Sequence, residues 1–322
     1  MPHPQEIRTV GVIGTGVIGL SWITLFLSKG LRVIVSDPAP NAVDQLRSYI
    51  AKQWPVMEKL GLEKGASQTS FEFVDEIFDH LDKIDFIQEN GPERLDFKQE
   101  LFAKLDSLAP EHVILSSSSS GLPSSQFIGN CDRKPSRILI GHPFNPPHLV
   151  PLVEVVPHPG TDATATARAM DFYRSLGKQP ILVRTETPGF VANRLQAALL
   201  AEAYSLVKRE VVSATDVDAA VTTSLGPRWA LTGPLMTNAL GGGGSAEGFR
   251  HLLEHIGVAS QIWLEDMRAK EFDWSVDSRE KLVEEVAKMF AGMKGTSEEL
   301  IKQRDEALIE LLKLKKNGSL LV

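Results

Sequence analysis

The stretch RTVGVIGTGVIGLSWITLFLSKGLRVIVSD, residues 8–37, decides how this chain is read. RTVGVIG is a β-branched run that stops at glycine, and LRVIVSD is a second such run that ends on Asp37. Between them, Ile18, Trp22, Leu25 and Phe26 recur at helical spacing. The turn from strand to helix is GTGVIG, with Gly14, Gly16 and Gly19 as G-x-G-x-x-G and Val17 and Ile18 opening the helix. The first glycine permits a tight turn, the second lets backbone approach a pyrophosphate, and the third lets helix pack on strand. The helix N-terminus then faces the phosphate charge. Alone, the pattern is a weak signal. Here it follows a strand, opens a helix, and is answered by Asp37 at the end of the next strand. All six residues are therefore expected at a dinucleotide. A carboxylate at Asp37 accepts hydrogen bonds from a free ribose 2′-OH and repels a 2′-phosphate, so NAD is expected rather than NADP.

Working outward, strand and helix keep alternating. KIDFIQEN and HVILSSSSS read as strands with the amphipathic RLDFKQELFAKLDSLA between them. RILIGHPF and LVPLVEVV add more strand, and ATARAMDFYRSLG is a helix leading to QPILVRTE. NAVDQLRSYIAKQWPVMEKLGLEKGASQT reads as helix, turn, helix, an arm with Leu46, Ile50, Trp54 and Met57 on one face. Such alternation implies a parallel sheet covered on both faces, with the opening unit at its centre. A break falls at TPGF, residues 187–190, and nothing beyond it reads as strand. FVANRLQAALLAEAYSLVKREV is a long helix, and SATDVDAAVTTSLG begins at a capping Ser213 with Asp216 and Asp218 in its first turns. GGGGS, residues 241–245, is a flexible break, either a linker or a mobile piece near a pocket. The expected class is α/β: a Rossmann-type, mostly parallel sheet domain over residues 1–187, then an all-helical domain over 188–322.

Composition is that of an ordinary globular chain, 43% hydrophobic and 23% charged, and 322 residues suit two cores better than one. A net charge of -7 without clustered Lys and Arg argues against a nucleic-acid partner. Cys131 is the only cysteine, which excludes an intramolecular disulfide and a CxxC knuckle and favours a reducing compartment, the cytoplasm by default. MPHPQEIRTVGVIG has neither a secretory nor a transit pattern, no later run reaches transmembrane length, and the terminal LLV is no prenylation box. No membrane partner is expected.

One segment is chemically odd. In GHPFNPPHLVPLVEVV, residues 141–156, His142 ends one strand and Glu154 sits within an apolar second one, joined by a Pro-rich loop that can fold them side by side. An ionised carboxylate there is costly to desolvate without a partner. Glu154 can orient the imidazole and stabilise its cation, making His142 a general base. The same two residues also read as a structural pair bridging strands, and chemistry alone leaves the readings even. His148 and His158 flank the strand without such an acid, and His251 and His255 share a helix face without a third ligand, so no metal is expected.

GVIGTGVIG, PERLDFKQELF, SSSSSGL, GHPFNPPHLVPLVEVV and TPGFVANRL, in this order, resemble the 3-hydroxyacyl-CoA dehydrogenase superfamily from end to end. Within it, VPLVEVVPHPGT, NRLQAALLAEAYSLVKREVVSATDVD and SLGPRWALTGPL are similar to the lambda-crystallin branch, whose active members are L-gulonate 3-dehydrogenases; carnitine dehydrogenases resemble the GPRWALTGPL segment too. The resemblance implies His142 as catalytic base, Glu154 as its partner, Ser120 and Asn193 on the reacting oxygen, and Glu93, Lys98 and Asn145 at NAD. It implies a homodimer formed through the helical domain. Arg228 has the planar fork that holds a carboxylate, which points to a small free acid rather than a thioester; a salt bridge to the other domain or subunit is the alternative. The family commonly has Asn or Thr within the serine stretch, and the GGGG insert interrupts a segment continuous in the crystallin branch. Three functions follow: a gulonate-type 3-hydroxy acid dehydrogenase first, then a 3-hydroxyacyl-CoA or carnitine dehydrogenase, and a crystallin-like structural protein that keeps a dinucleotide site.

Overall fold

Strand–helix alternation builds a single eight-stranded sheet in the first compact unit of the chain, residues 1–194. The computed structural model describes residues 6–317; the first five residues and the terminal LLV, read above for leader and lipidation patterns, lie outside the described residues. The strands are β1 (Thr9–Ile13), β2 (Arg32–Ser36), β3 (Phe71–Phe73), β4 (Phe86–Glu89), β5 (Ile114–Ser117), β6 (Ile138–Pro143), β7 (Leu152–Pro157) and β8 (Gln179–Leu182). Their order is β3-β2-β1-β4-β5-β6-β7-β8, parallel throughout except where β7 runs against β6. That exception has a simple cause. The eight residues of 144–151 are too few for a crossover, which needs a dozen or more, so the chain turns straight back as a hairpin.

Alternating side chains divide the core between two faces. Val10, Val12, Val33 and Val35 pack under α1 (Val17–Ser28), α2 (Ala42–Leu60) and α4 (Ala163–Ser175), where Trp22 stacks on Phe26 at 5.3 Å and Phe86 meets Phe172 at 4.4 Å. Ile34, Ile87, Leu115 and Ile140 face the other way, against Phe102 and Leu105 of α3 (Leu95–Leu108) and against Phe127. Helix α1 is apolar almost all round because it is buried almost all round.

Three expectations change. The opening β1–α1–β2 unit, expected at the centre of the sheet, lies toward its β3 edge, because more strands are added beyond β1 than beyond β2. The expected helical arm is the single helix α2, whose buried face is the anticipated Leu46, Ile50, Trp54 and Met57; the polar residues after Gly61 form no second helix but lead into β3, whose three residues FEF carry too little periodicity to announce a strand.

Residues 195–322 form the second unit, and its described residues contain no strand. After α5 (Ala192–Lys208) come α6 (Ala214–Ala220), a π-turn at Val221–Leu225, α7 (Gly226–Gly241), α8 (Ala246–Ala269), α9 (Val276–Gly292) and α10 (Ser297–Asn317). Ser213 caps α6 by accepting from the Asp216 N–H at 3.1 Å, as its sequence position implied. The helix α7 breaks at Gly233, where φ is +68° ahead of Pro234. GGGGS is the turn between α7 and α8; its serine, Ser245, caps α8 through the Gly248 N–H. Among the described residues of this unit the buried apolar side chains are Val207, Phe272 and Ile309.

Candidate active site

Because β1, β4, β5 and β6 are mutually parallel, the segments that follow them gather at one edge of the sheet, the carboxyl edge where such folds bind ligands. The first is the glycine turn. Gly14 takes a φ of +89°, and a Cβ there would lie 2.7 Å from the Asn90 carbonyl oxygen. A Cβ on Gly19 would lie 2.0 Å from the Gly14 carbonyl oxygen, so only glycine lets helix and turn approach. Gly16 faces open space, with nothing within 4 Å of where a Cβ would be. No side chain of the described residues caps α1. Its first N–H groups and positive dipole end are thus presented to an anion, which is the environment a pyrophosphate requires. Val17 is exposed and Ile18 half-buried in that first turn.

Asp37 braces this turn. Its Oδ2 accepts from the Thr15 N–H and hydroxyl at 2.5 and 2.7 Å, and its Oδ1 accepts from the Ala39 N–H at 2.8 Å. Burial alone would raise its pKa, but the Ala39 and Thr15 donors outweigh it and hold the carboxyl below its ordinary value. A carboxylate with spare lone pairs at the end of β2 fits a ribose diol.

The pair that looked odd in sequence is set by sheet register. His142 and Glu154 are directly opposite across β6 and β7, and Nδ1 lies 2.8 Å from Oε2. The Glu154 Oε1 accepts from the Val191 and Ala192 N–H groups at 2.8 and 3.0 Å. Desolvation would raise the Glu154 pKa; the His142 bond and the two backbone donors prevail and keep it below its ordinary value. An ionised acceptor on Nδ1 makes that nitrogen the protonated one, which leaves Nε2 with a lone pair. The imidazole is packed between Phe144 and Phe190, each 5.5 Å away between ring centres.

Phe190 is a part of this arrangement that sequence reasoning missed. It is 1% exposed with φ at +51°, a left-handed conformation that a bulky residue rarely adopts. Following Gly189, also left-handed at +73°, it turns the chain so that the next two N–H groups reach Glu154. TPGF was legible as a domain break; its strain was not.

The serine loop after β5 is organised by Glu93. Its Oε1 accepts from the Ser119 hydroxyl at 2.6 Å and from the N–H groups of Ser120, Gly121 and Leu122 at 3.1, 2.9 and 3.2 Å. Ser120 itself is exposed, and the Asn193 amide donates to its carbonyl oxygen at 3.4 Å. Asn193 directly follows the residues that hold Glu154, so one short segment ties Glu154 to Ser120. Asn145 is exposed in the loop after β6. Lys98, expected at NAD, is 1% exposed, its ammonium bonded to both oxygens of Glu89 at 3.0 and 2.8 Å, with the outer carboxylate of Glu93 at 3.8 Å. Arg228 lies in α7 of the second unit; its Nε donates to the Ser224 carbonyl at 3.1 Å, and no carboxylate among the described residues pairs with it. Among those residues no group of His, Cys, Asp and Glu could hold a metal ion, and no helix is long and apolar enough to cross a membrane.

A glycine turn built for a dinucleotide and an imidazole steadied by a carboxylate, both on the carboxyl side of one sheet, define an NAD-dependent dehydrogenase acting on a CH–OH group. Residues 9–187 match the NAD binding domain of 3-hydroxyacyl-CoA dehydrogenase and residues 189–272 its C-terminal domain, so the chain belongs to the 3-hydroxyacyl-CoA dehydrogenase family. A 3-hydroxyacyl-CoA dehydrogenase of Gibberella moniliformis is 52% identical over 97% of this chain and 96% of that protein. An L-carnitine dehydrogenase of Nocardiopsis dassonvillei is 40% identical over 95% of this chain and 91% of its own. Among solved structures, 5-formyl-3-hydroxy-2-methylpyridine 4-carboxylic acid 5-dehydrogenase, an NAD+-dependent dismutase, is similar at 27% identity and TM-score 0.77, covering 98% of this chain and all of that one.

Proposed function

We propose that the protein oxidises the 3-hydroxyl of a small free hydroxy acid of the size of carnitine, with His142 as the base. The carrying observation is the His142–Glu154 pair at 2.8 Å, in which Oε2 meets the ring while the Val191 and Ala192 N–H groups hold Oε1. His142 Nε2 takes the hydroxyl proton as the carbinol C–H leaves as hydride, and Glu154 stabilises the imidazolium. Ser120 and Asn193 are assigned to the oxygen on which charge develops. Bound NAD supplies the hydride acceptor; Gly14, Gly16, Val17, Ile18, Gly19 and Asp37 are assigned to hold it, with Glu93 and Asn145 nearby.

The free acid is favoured over a thioester by Arg228, which is exposed and has no carboxylate partner among the described residues, as a clamp for a substrate carboxylate would be. Relatives named L-carnitine dehydrogenase support the same choice. Gulonate, suggested first by the crystallin-branch resemblance, has no such support among these relatives, and carnitine takes its place. The acyl-CoA reading stands second on the 52% identical relative. An absorbance assay for NADH with carnitine, gulonate and 3-hydroxybutyryl-CoA separates these readings, and no NADH with any of them would favour the structural, crystallin-like role. With Arg228→Met, KM for the active acid should rise about tenfold or more. Unchanged KM for every acid would remove the clamp.

The partner assigned is a second copy, through the helical unit. Leu235, Val258, Ile262 and Trp263 are exposed there at 74, 64, 61 and 60%, more apolar surface than a lone domain leaves to water. A monomer in sedimentation at micromolar concentration would refute it.

A further inference from the structure

Lys178 is the one buried lysine whose charge meets no carboxylate among the described residues. It follows Gly177, whose φ of +78° turns the chain from α4 into β8, and its side chain runs inward to 5% exposure. The ammonium donates to the carbonyl oxygens of Pro147 and Val150 and lies 5.5 Å from the centre of the Trp22 ring. Both carbonyls belong to the loop 144–151 that joins His142 to Glu154 and carries Asn145. The same loop has a second buried anchor. Ser21, on α1, accepts from the His148 N–H at 2.9 Å and bonds its Nδ1 at 2.7 Å. Three near-consecutive loop residues are thus held from beneath by polar side chains.

Burying an ammonium this way is unfavourable, and desolvation brings the Lys178 pKa down to about 7. A methionine would fill the same space without that penalty. What methionine lacks is donors aimed at the Pro147 and Val150 carbonyls. We propose that Lys178 is a positioning residue for the oxidation: by holding Pro147 and Val150 it steadies the loop that closes the β6–β7 hairpin just after His142. The inference rests on the reading of His142 as the base. A base displaced by even about 1 Å loses on the order of a hundredfold in rate, while the hydrogen bonds that shape the glycine turn, from Gly14 to Ser36 and from Thr15 to Asp37, do not involve this loop.

The test uses the full chain with NAD and the hydroxy acid that gives fastest turnover. Lys178→Met should keep its fold by thermal melting and its NAD affinity by fluorescence titration, yet lose roughly 10- to 100-fold in kcat with little change in KM. Lys178→Gln, which retains an N–H donor, should recover part of that loss, and ethylamine added to Lys178→Ala should restore turnover saturably. Wild-type kcat in Lys178→Met overturns the proposal. So does loss of fold in both the Met and Gln variants, or a fall in kcat that neither Gln nor amine relieves, because each marks a purely structural lysine. His142→Ala is run beside them: if it stays active, the reading of the base fails instead.

Discussion

Two buried acid–base pairs stand on the same sheet, Glu89 at the end of β4 with Lys98 of α3 and His142–Glu154 across β6 and β7, and they are finished differently. Around Glu89 every donor is spent inside the protein: Lys98 bonds both oxygens, the Gly91 N–H reaches Oε1 at 2.6 Å and the Ser117 hydroxyl reaches Oε2 at 2.5 Å. Both side chains are at most 1% exposed. Glu154 is as deeply buried and as fully bonded, but its partner is a ring with two nitrogens, and only Nδ1 is engaged by it. The imidazole keeps 7% of its surface. A buried ion pair by itself says little about function, since desolvation offsets much of the attraction. What distinguishes a working pair is an atom left over.

Variants at the two pairs should therefore behave in opposite ways. The largest effect on turnover is expected at His142→Ala, a fall of about 10³- to 10⁴-fold with NAD affinity nearly intact. Equal loss of both would point to a folding defect and erase the contrast. Glu154→Gln sharpens it. The amide oxygen can still accept from Val191 and Ala192, so its NH₂ must face His142 Nδ1, which then has to accept; the proton moves to Nε2 and the base is blocked. Turnover should drop about 10²-fold or more in a protein that still folds. The pH behaviour has a definite sign. The folded-state pKa of Glu154 lies below its unfolded value, so its stabilisation is present above that unfolded value, about 4.3, and is lost as pH falls through the folded one. Urea titrations should show wild type and Glu154→Gln converging in stability as the pH drops below about 4.

Which parts could be read beforehand follows from how local their causes are. The glycine turn was legible from the strand–helix–strand pattern around it, although only Gly19 answers a contact within that unit; the close approach at Gly14 comes from Asn90, after β4. The His142–Glu154 pair was legible as a chemical anomaly, an acid in an apolar strand, although its register came only with the hairpin. The direction of β7 could have been inferred from the short 144–151 loop; the buried strand itself, apolar on both faces, carries no sign of direction. Lys178, Phe190 and the Glu93 cradle were not legible. Their roles depend on which distant carbonyls or N–H groups the fold brings within reach, and the Lys98–Glu89 pair was hidden for the same reason: the carboxylate that meets this helical lysine comes from a neighbouring strand.

At that lysine the expected effect on chemistry is the smallest, and the effect on stability decides the comparison. Glu89→Gln leaves the buried Lys98 ammonium with only the more distant Glu93 carboxylate at 3.8 Å, which should lower unfolding free energy by about 3 kcal/mol in urea titration while kcat of the folded fraction stays near wild type. Adding Lys98→Met removes the stranded charge, so the double variant should be more stable than Glu89→Gln alone, a coupling of roughly 1–3 kcal/mol. If instead Lys98→Met folds normally but weakens NAD binding tenfold, the ammonium leaves Glu89 for the cofactor in the working enzyme. The two pairs would then differ only in degree, since both would give up an atom to the reaction.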